Sequence, residues 1–258
     1  MKKIISWNVA SIRARIDSLL HLLEAEKPDI VFLQEIKTQQ DQFPFLQLRS
    51  AGYESVISGQ KAYNGVAILS KQPIRLVSTA LTGFEDQARF VQASLEDGTN
   101  LISVYVPNGQ APANDPADTS RLAYKLKWLN ALKEHLKQTK RYIIGGDFNV
   151  IFKDQDVYNP ALFEQSALMV PPVRKAFEEL LKLPIENPLR DFHKNEQLYT
   201  FWDFQGGAWP RNHGIFLDYI FLSQDYFMSC VVSAEVLKDY RASPKPSDHA
   251  PIKVEIEI

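Results

Sequence analysis

Short apolar runs alternate along the chain with longer amphipathic stretches. The runs KKIISW, DIVFLQ, GVAILS, RFVQASLE, LISVYV, YIIGG, LDYIFL, SCVVSAEV and IKVEIEI are rich in β-branched and aromatic residues, which predicts strands. Asp97-Gly98, between RFVQASLE and LISVYV, predicts a tight antiparallel hairpin. Ile16, Leu19, Leu20 and Leu23 follow the i, i+3, i+4, i+7 spacing of one helical face. Leu122, Leu126, Leu129, Leu132 and Leu136 mark a second helix, with Asp118 or Thr119 as its cap. A third helix after Pro172 would turn Val173, Phe177, Leu180 and Leu181 inward. Helices over mixed sheets make a layered α/β architecture. The segment NGQAPANDPADTS, residues 108 to 120, reads as a long loop rather than a linker, so residues 1–258 are expected to form one domain.

Composition narrows the possibilities. With 45% hydrophobic residues in 258, the chain can fill a sizeable core. The start MKKIISWNVAS lacks the apolar centre of a signal peptide and no later run approaches membrane-spanning length, so a cytoplasmic protein is expected. The one cysteine, Cys230, excludes an internal disulfide and reads as an inert strand thiol. A net charge of −2 disfavours a protein that grips nucleic acid by bulk positive charge, but leaves room for a local basic groove.

Candidate chemistry sits where strands end. Asn8, Glu35, Tyr105, Asn108, Asp147 and Asn149 follow such runs, and Asp248-His249 precedes the last one. Ligands of layered α/β proteins collect at strand termini, where loops present side chains from a rigid sheet. Carboxylates and amide oxygens without thiols suit a hard cation, Mg²⁺ or Mn²⁺, and hence phosphoryl chemistry. Singly, each residue could merely cap a turn; as a set they point to a site. Asp218, embedded in IFLDYIFL, needs a buried partner, and His249 is the candidate. The pair would favour an imidazolium able to stabilise charge on a phosphate.

The stretches SWNVASIRAR, FLQEIK, NGVAILS, YVPNG, GGDFNV, LDYIFLS and KPSDHAP occur in one order across the whole chain. In that order and spacing, the chain resembles the exonuclease III family of apurinic/apyrimidinic endonucleases, within the endonuclease/exonuclease/phosphatase superfamily. YKLKWLNAL, DVYNP and FWDFQGGAWPRNHG look particularly like its bacterial members. The resemblance implies a four-layer α/β sandwich, two mixed β-sheets packed face to face with helices outside. It implies a Mg²⁺- or Mn²⁺-dependent hydrolase of base excision repair that incises double-stranded DNA 5′ to abasic sites and trims 3′ ends as exonuclease and 3′-phosphatase. A monomer is expected.

It also implies roles. Glu35 would be the principal metal ligand, assisted by Asn8 and Asp248, with Asp147, Asn149 and His249 also within the ion's reach. Asp147 would activate water, Asn149 would hold the phosphate, and His249, paired with Asp218, would contact phosphate oxygens. Tyr105 would stabilise the transition state, with a phenolate as one form open to it. Asn108, Trp209 and Arg211 would meet DNA, Trp209 by reaching into a groove at the abasic gap. Whether Asp147 or His249 is the base, whether one ion acts or two, and which activity dominates stay open. Two departures from the family pattern stand out: Phe216-Leu217-Asp218 replaces Arg-Ile-Asp, and the charge is slightly acidic. Relatives acting on RNA or phosphoinositides, and non-catalytic regulators that bind RNA and protein on the same fold, are the alternatives.

Overall fold

The computed structural model describes residues 1–226 and 230–257, the side chain of Cys230 aside. The expected inert thiol at Cys230, Ser229 of its strand and the closing Ile258 therefore lie outside the described residues.

Two six-stranded mixed sheets face each other. The first runs β11 (Cys230–Val236), β12 (Ile252–Glu257), β1 (Lys2–Asn8), β2 (Ile30–Gln34), β4 (Val66–Ser70) and β3 (Glu54–Ser58). The second runs β5 (Arg75–Ser78), β6 (Phe90–Ser94), β7 (Asn100–Tyr105), β8 (Tyr142–Asp147), β10 (Asp218–Ser223) and β9 (Ile185–Glu186). Each has one parallel pair at its centre, β1 with β2 and β7 with β8, flanked by antiparallel neighbours. The hairpin at Asp97-Gly98 joins β6 to β7 as its turn chemistry predicts, with Gly98 at φ 83.

Alternation within strands builds the layers. In β2, Ile30 and Phe32 enter the core between the sheets, while Val31 and Leu33 pack outward against α1 (Ile12–Glu26) and α2 (Phe45–Ser50). On the second sheet the outer cover is α3 (Ser120–Gln138) and α4 (Pro171–Leu181), through Leu129, Leu132, Leu136, Val173, Phe177 and Leu180. All three expected helices form; Leu20, Leu122, Leu126 and Leu181 are only partly buried. Thr119 occupies the cap position of α3 without a side-chain bond, and Asp118 Oδ1 accepts from Ser120 N at 2.7 Å. Short α5 (Pro188–Phe192) and α6 (Asp239–Ala242) sit near sheet edges. No described helix is long and apolar enough to cross a membrane.

Gly145 and Gly146 set how closely the sheets approach. A Cβ at Gly145 would lie 2.3 Å from Phe32 Cδ2, and one at Gly146 2.2 Å from the Val104 carbonyl oxygen. Only hydrogen side chains let β8 close onto β2 and β7. Nearby, Gln34 Nε2 donates to Ser103 Oγ at 3.2 Å, and Ser103 Oγ donates to the Leu33 carbonyl at 3.1 Å, stitching the sheets with satisfied buried bonds.

The strands β3, β5 and β9 have no counterpart in the sequence reading. ESVIS, RLVS and IE are short or polar and owe their conformation to their sheet neighbours.

Candidate active site

Strand direction gathers the site on one edge. The parallel strands β1, β2, β7 and β8 all end there, and the antiparallel β10 and β12 begin there. Asn8 stands at the end of β1 and Glu35 one residue beyond β2. Tyr105 pairs in register with Asp147, which pairs with Asp218, and Asp248-His249 leads into β12. A cleft of about 660 Å³ opens over this edge, lined by Glu35, Tyr105, Asn108, Asp147, Asn149, Asp248 and His249. Glu35 and Asp248 thus face one cavity.

Asn8 lies beneath the cleft floor. Its Nδ2 donates to Glu35 Oε1 at 2.9 Å and to Asp147 Oδ2 at 3.0 Å, while its Oδ1 accepts from Ala10 N at 3.0 Å. The amide nitrogen faces the acids, so Asn8 bridges two carboxylates. Glu35, held at φ 49, also receives Lys37 Nζ at 2.8 Å on Oε2. Burial pushes the Glu35 carboxyl up, but the bonds from Lys37 and Asn8 outweigh it and hold the pKa below its ordinary value.

His249 is held between two acids. Its Nδ1 is 2.8 Å from Asp218 Oδ2, and its Nε2 is 3.6 Å from Asp147 Oδ2. The Phe201 ring packs edge-on at 4.9 Å. Burial works against the imidazolium, yet the Asp218 and Asp147 carboxylates raise its pKa to about 10. Burial raises the Asp147 carboxyl to about 7 against the pull of His249. Asp147 Oδ1 accepts from Asn149 N at 2.9 Å. Asn149, at φ 51, turns its Nδ2 to the Val106 carbonyl at 2.9 Å.

Burial, then the Glu35 and Asp147 charges, push the Tyr105 pKa well above its ordinary value, which favours the phenol. Arg89 lies over the Tyr105 ring at 4.7 Å.

The cleft also has apolar lining, with Tyr158, Phe163, Leu168, Phe201, Ile215 and Leu217. These residues gave no chemical signal in sequence, and Arg89 and Lys37 were equally silent. His213 stacks on Tyr158 at 4.2 Å. At the departure from the family pattern, Phe216 is fully buried, with the Arg190 guanidinium of α5 over its ring at 4.2 Å and paired with Asp156.

Trp209 does not reach outward. It packs edge-on against Trp202 at 4.8 Å, with the Arg241 guanidinium 5.3 Å from its ring. Phe204, on the other side of Arg241 at 5.2 Å, is the loop's exposed aromatic at 55%. Arg211 is exposed but lines no part of the cleft.

The donors suit a hard cation. Four carboxylates, Glu35, Asp147, Asp203 and Asp248, and no sulfur line the cleft, and Asp147, Asp218 and His249 present ligand atoms within 4.8 Å of one another, a group able to hold a metal ion. Asp218 Oδ1 is buried without a hydrogen-bond partner among the described residues, leaving acceptor capacity in the cluster.

Residues 5–249 match the Endonuclease/Exonuclease/phosphatase family. The chain belongs to that family. Within it, the chain is 31% identical to an exodeoxyribonuclease III of Haemophilus influenzae, an alignment covering 99% of this chain and 100% of the relative. An AP endonuclease from Archaeoglobus fulgidus superposes with a TM-score of 0.93 at 32% identity, covering 100% of both chains. A 3′ phosphatase from Neisseria, solved with product DNA hairpin, superposes with a TM-score of 0.91 at 33% identity, again covering 100% of both. Among these endonuclease/exonuclease/phosphatase proteins the shared feature is the full two-sheet frame rather than a local motif.

Proposed function

We propose that this chain is a Mg²⁺- or Mn²⁺-dependent phosphodiesterase of DNA repair, incising double-stranded DNA 5′ to abasic sites and trimming 3′ ends. The observation that carries the reading is the meeting of Glu35, Asp147, Asp248 and His249 in one cleft that apolar side chains also line. A phosphate needs the former group; a deoxyribose without its base can lie against Phe201, Ile215 and Leu217. The full-length likeness to an exodeoxyribonuclease III and an AP endonuclease supports the DNA substrate.

One or two ions bound through Glu35 and Asp248 would neutralise phosphate charge. Asp147 accepts the proton of the attacking water; a pKa near neutrality suits that work. Asn8 and Asn149 N fix its two oxygens, so the carboxylate is oriented before substrate arrives. His249, kept cationic by Asp218, offers its Nε2 proton to a phosphate oxygen. Tyr105 donates a hydrogen bond to the developing charge as a phenol. Asn149, beside Asp147, spends one Nδ2 hydrogen on the Val106 carbonyl and offers the other to the reacting phosphate. Water attacks phosphorus, and the bond to the 3′ oxygen breaks.

At the rim, Phe204 takes the wedge role in place of Trp209, with Asn108 and Arg211 near the backbone. The deciding experiment is gel analysis of a 5′-labelled duplex with one abasic site, with and without chelator. Metal-dependent incision at the site supports the reading. An intact abasic duplex beside cleaved RNA or soluble phosphoinositide would replace its substrate.

A further inference from the structure

On the inner face of α3, between Leu122 and Leu129, stands Lys125, fully buried. Its Nζ donates to the carbonyls of Asn149 at 2.6 Å, Ala167 at 2.8 Å and Asn108 at 3.1 Å. All three bonds go to backbone oxygens and none to a carboxylate, and together they use every N–H of the ammonium. Burying a cation with no carboxylate in contact, the Asp147 charge acting only from a distance, is costly, and a leucine or methionine would fill this stripe more cheaply.

The three carbonyls belong to three separate loops at the cleft. Asn149 and Asn108 line it themselves, and Ala167 precedes Leu168 of the apolar lining. Asn149 holds φ 51, a conformation that persists only where its surroundings fix it. The Asn108 turn lies directly on the lysine stem: a Cβ at Gly109 would come within 2.8 Å of Lys125 Cδ.

We propose that Lys125 is a positioning residue, whose buried ammonium draws these three loops to one point and so fixes Asn149 beside Asp147. The inference rests on the nuclease reading above for its kinetic consequence, and on geometry alone for its structural one.

The test uses the full chain with Mg²⁺ and a 5′-labelled abasic duplex, well below the melting temperature of each variant. Lys125→Met keeps the stem and removes every donor; its kcat is expected to fall on the order of a hundredfold, as small misplacements near reacting atoms do. Lys125→Arg, which retains several donors, is expected to recover most of the loss. A lowered melting temperature with unchanged kcat in K125M would leave only a packing role and overturn the proposal. If K125M does not fold, Lys125→Gln, which keeps part of the donor set, takes its place with the same two outcomes. Should the parent itself fail to cleave, the nuclease reading falls, and nitrogen-15 NMR then decides on Lys125. Displaced Asn149 and Asn108 amide signals in the variant support the clamp, and unmoved signals refute it.

Discussion

Asp218→Asn isolates the charge behind His249. The substitution keeps shape and leaves an oxygen able to accept the Nδ1 proton now bonded at 2.8 Å, but removes the negative charge. The His249 pKa rises from 6.5 to about 10, which at about 1.36 kcal/mol per unit is about 5 kcal/mol in favour of the imidazolium. That preference is shared between Asp218, in direct contact, and Asp147, at 3.6 Å. Giving the contacting acid about half, about 2–3 kcal/mol, moves the ring pKa down by about two units, to about 8. A neutral ring cannot offer its Nε2 proton, so kcat should hold near that of the parent at about pH 7 and fall about tenfold by about pH 9, where the parent does not. The assay is single-turnover cleavage of an abasic duplex at saturating Mg²⁺ as a function of pH, with KM measured in parallel and the His249 ring followed by NMR in metal-free protein. The expected result is a new fall in kcat on the basic side, little change in KM and a lower ring pKa. A pH profile and a ring pKa unmoved from those of the parent would refute the reasoning, because His249 would then owe its charge to other groups.

Asp147→Asn is expected to abolish most turnover while a DNA-binding titration stays near that of the parent, since proton handling changes and the groove does not. Glu35→Ala should raise the Mg²⁺ concentration needed for half-maximal activity; an unmoved metal titration would remove Glu35 from the ion. Gly145→Ala should cost about 1–3 kcal/mol in urea unfolding, because the added methyl meets Phe32 at 2.3 Å and the sheets must part. Phe204→Ala should weaken discrimination between abasic and intact duplex without a stability loss, whereas Trp209→Ala should lower the melting temperature and leave discrimination alone; the reverse pattern would restore Trp209 as the wedge.

Much of the site is legible in sequence because it sits at strand ends. Apolar runs announce where the sheet stops, and the acids and amides that follow, from Asn8 to Asp248, are the residues with something to hold. The Asp218–His249 pair is legible for a different reason: a carboxylate inside IFLDYIFL has to find a partner, and few were on offer. Gly145-Gly146 close the predicted strand YIIGG, and in β8 both glycines serve sheet contact.

Other features depended on what lies across a gap. Lys125 looks like a solvated residue on a helix until three loops are laid over it, and the packing of Trp209 against Trp202 and Arg241 is equally invisible in sequence. Arg190 covers the Phe216 ring from 26 positions earlier in the chain, a contact no local pattern records.

The sequence by itself determined the elements, the layered class and the identity of most groups that bear chemistry, since periodicity and side-chain type are local properties. Tertiary structure decided which way those groups point and what charge they carry. Asn8 turned its nitrogen to the acids, burial raised the Tyr105 pKa, and Phe204 stayed exposed while Trp209 packed on Trp202, because hydrogen-bond direction, desolvation and exposure are set by neighbours distant in the chain.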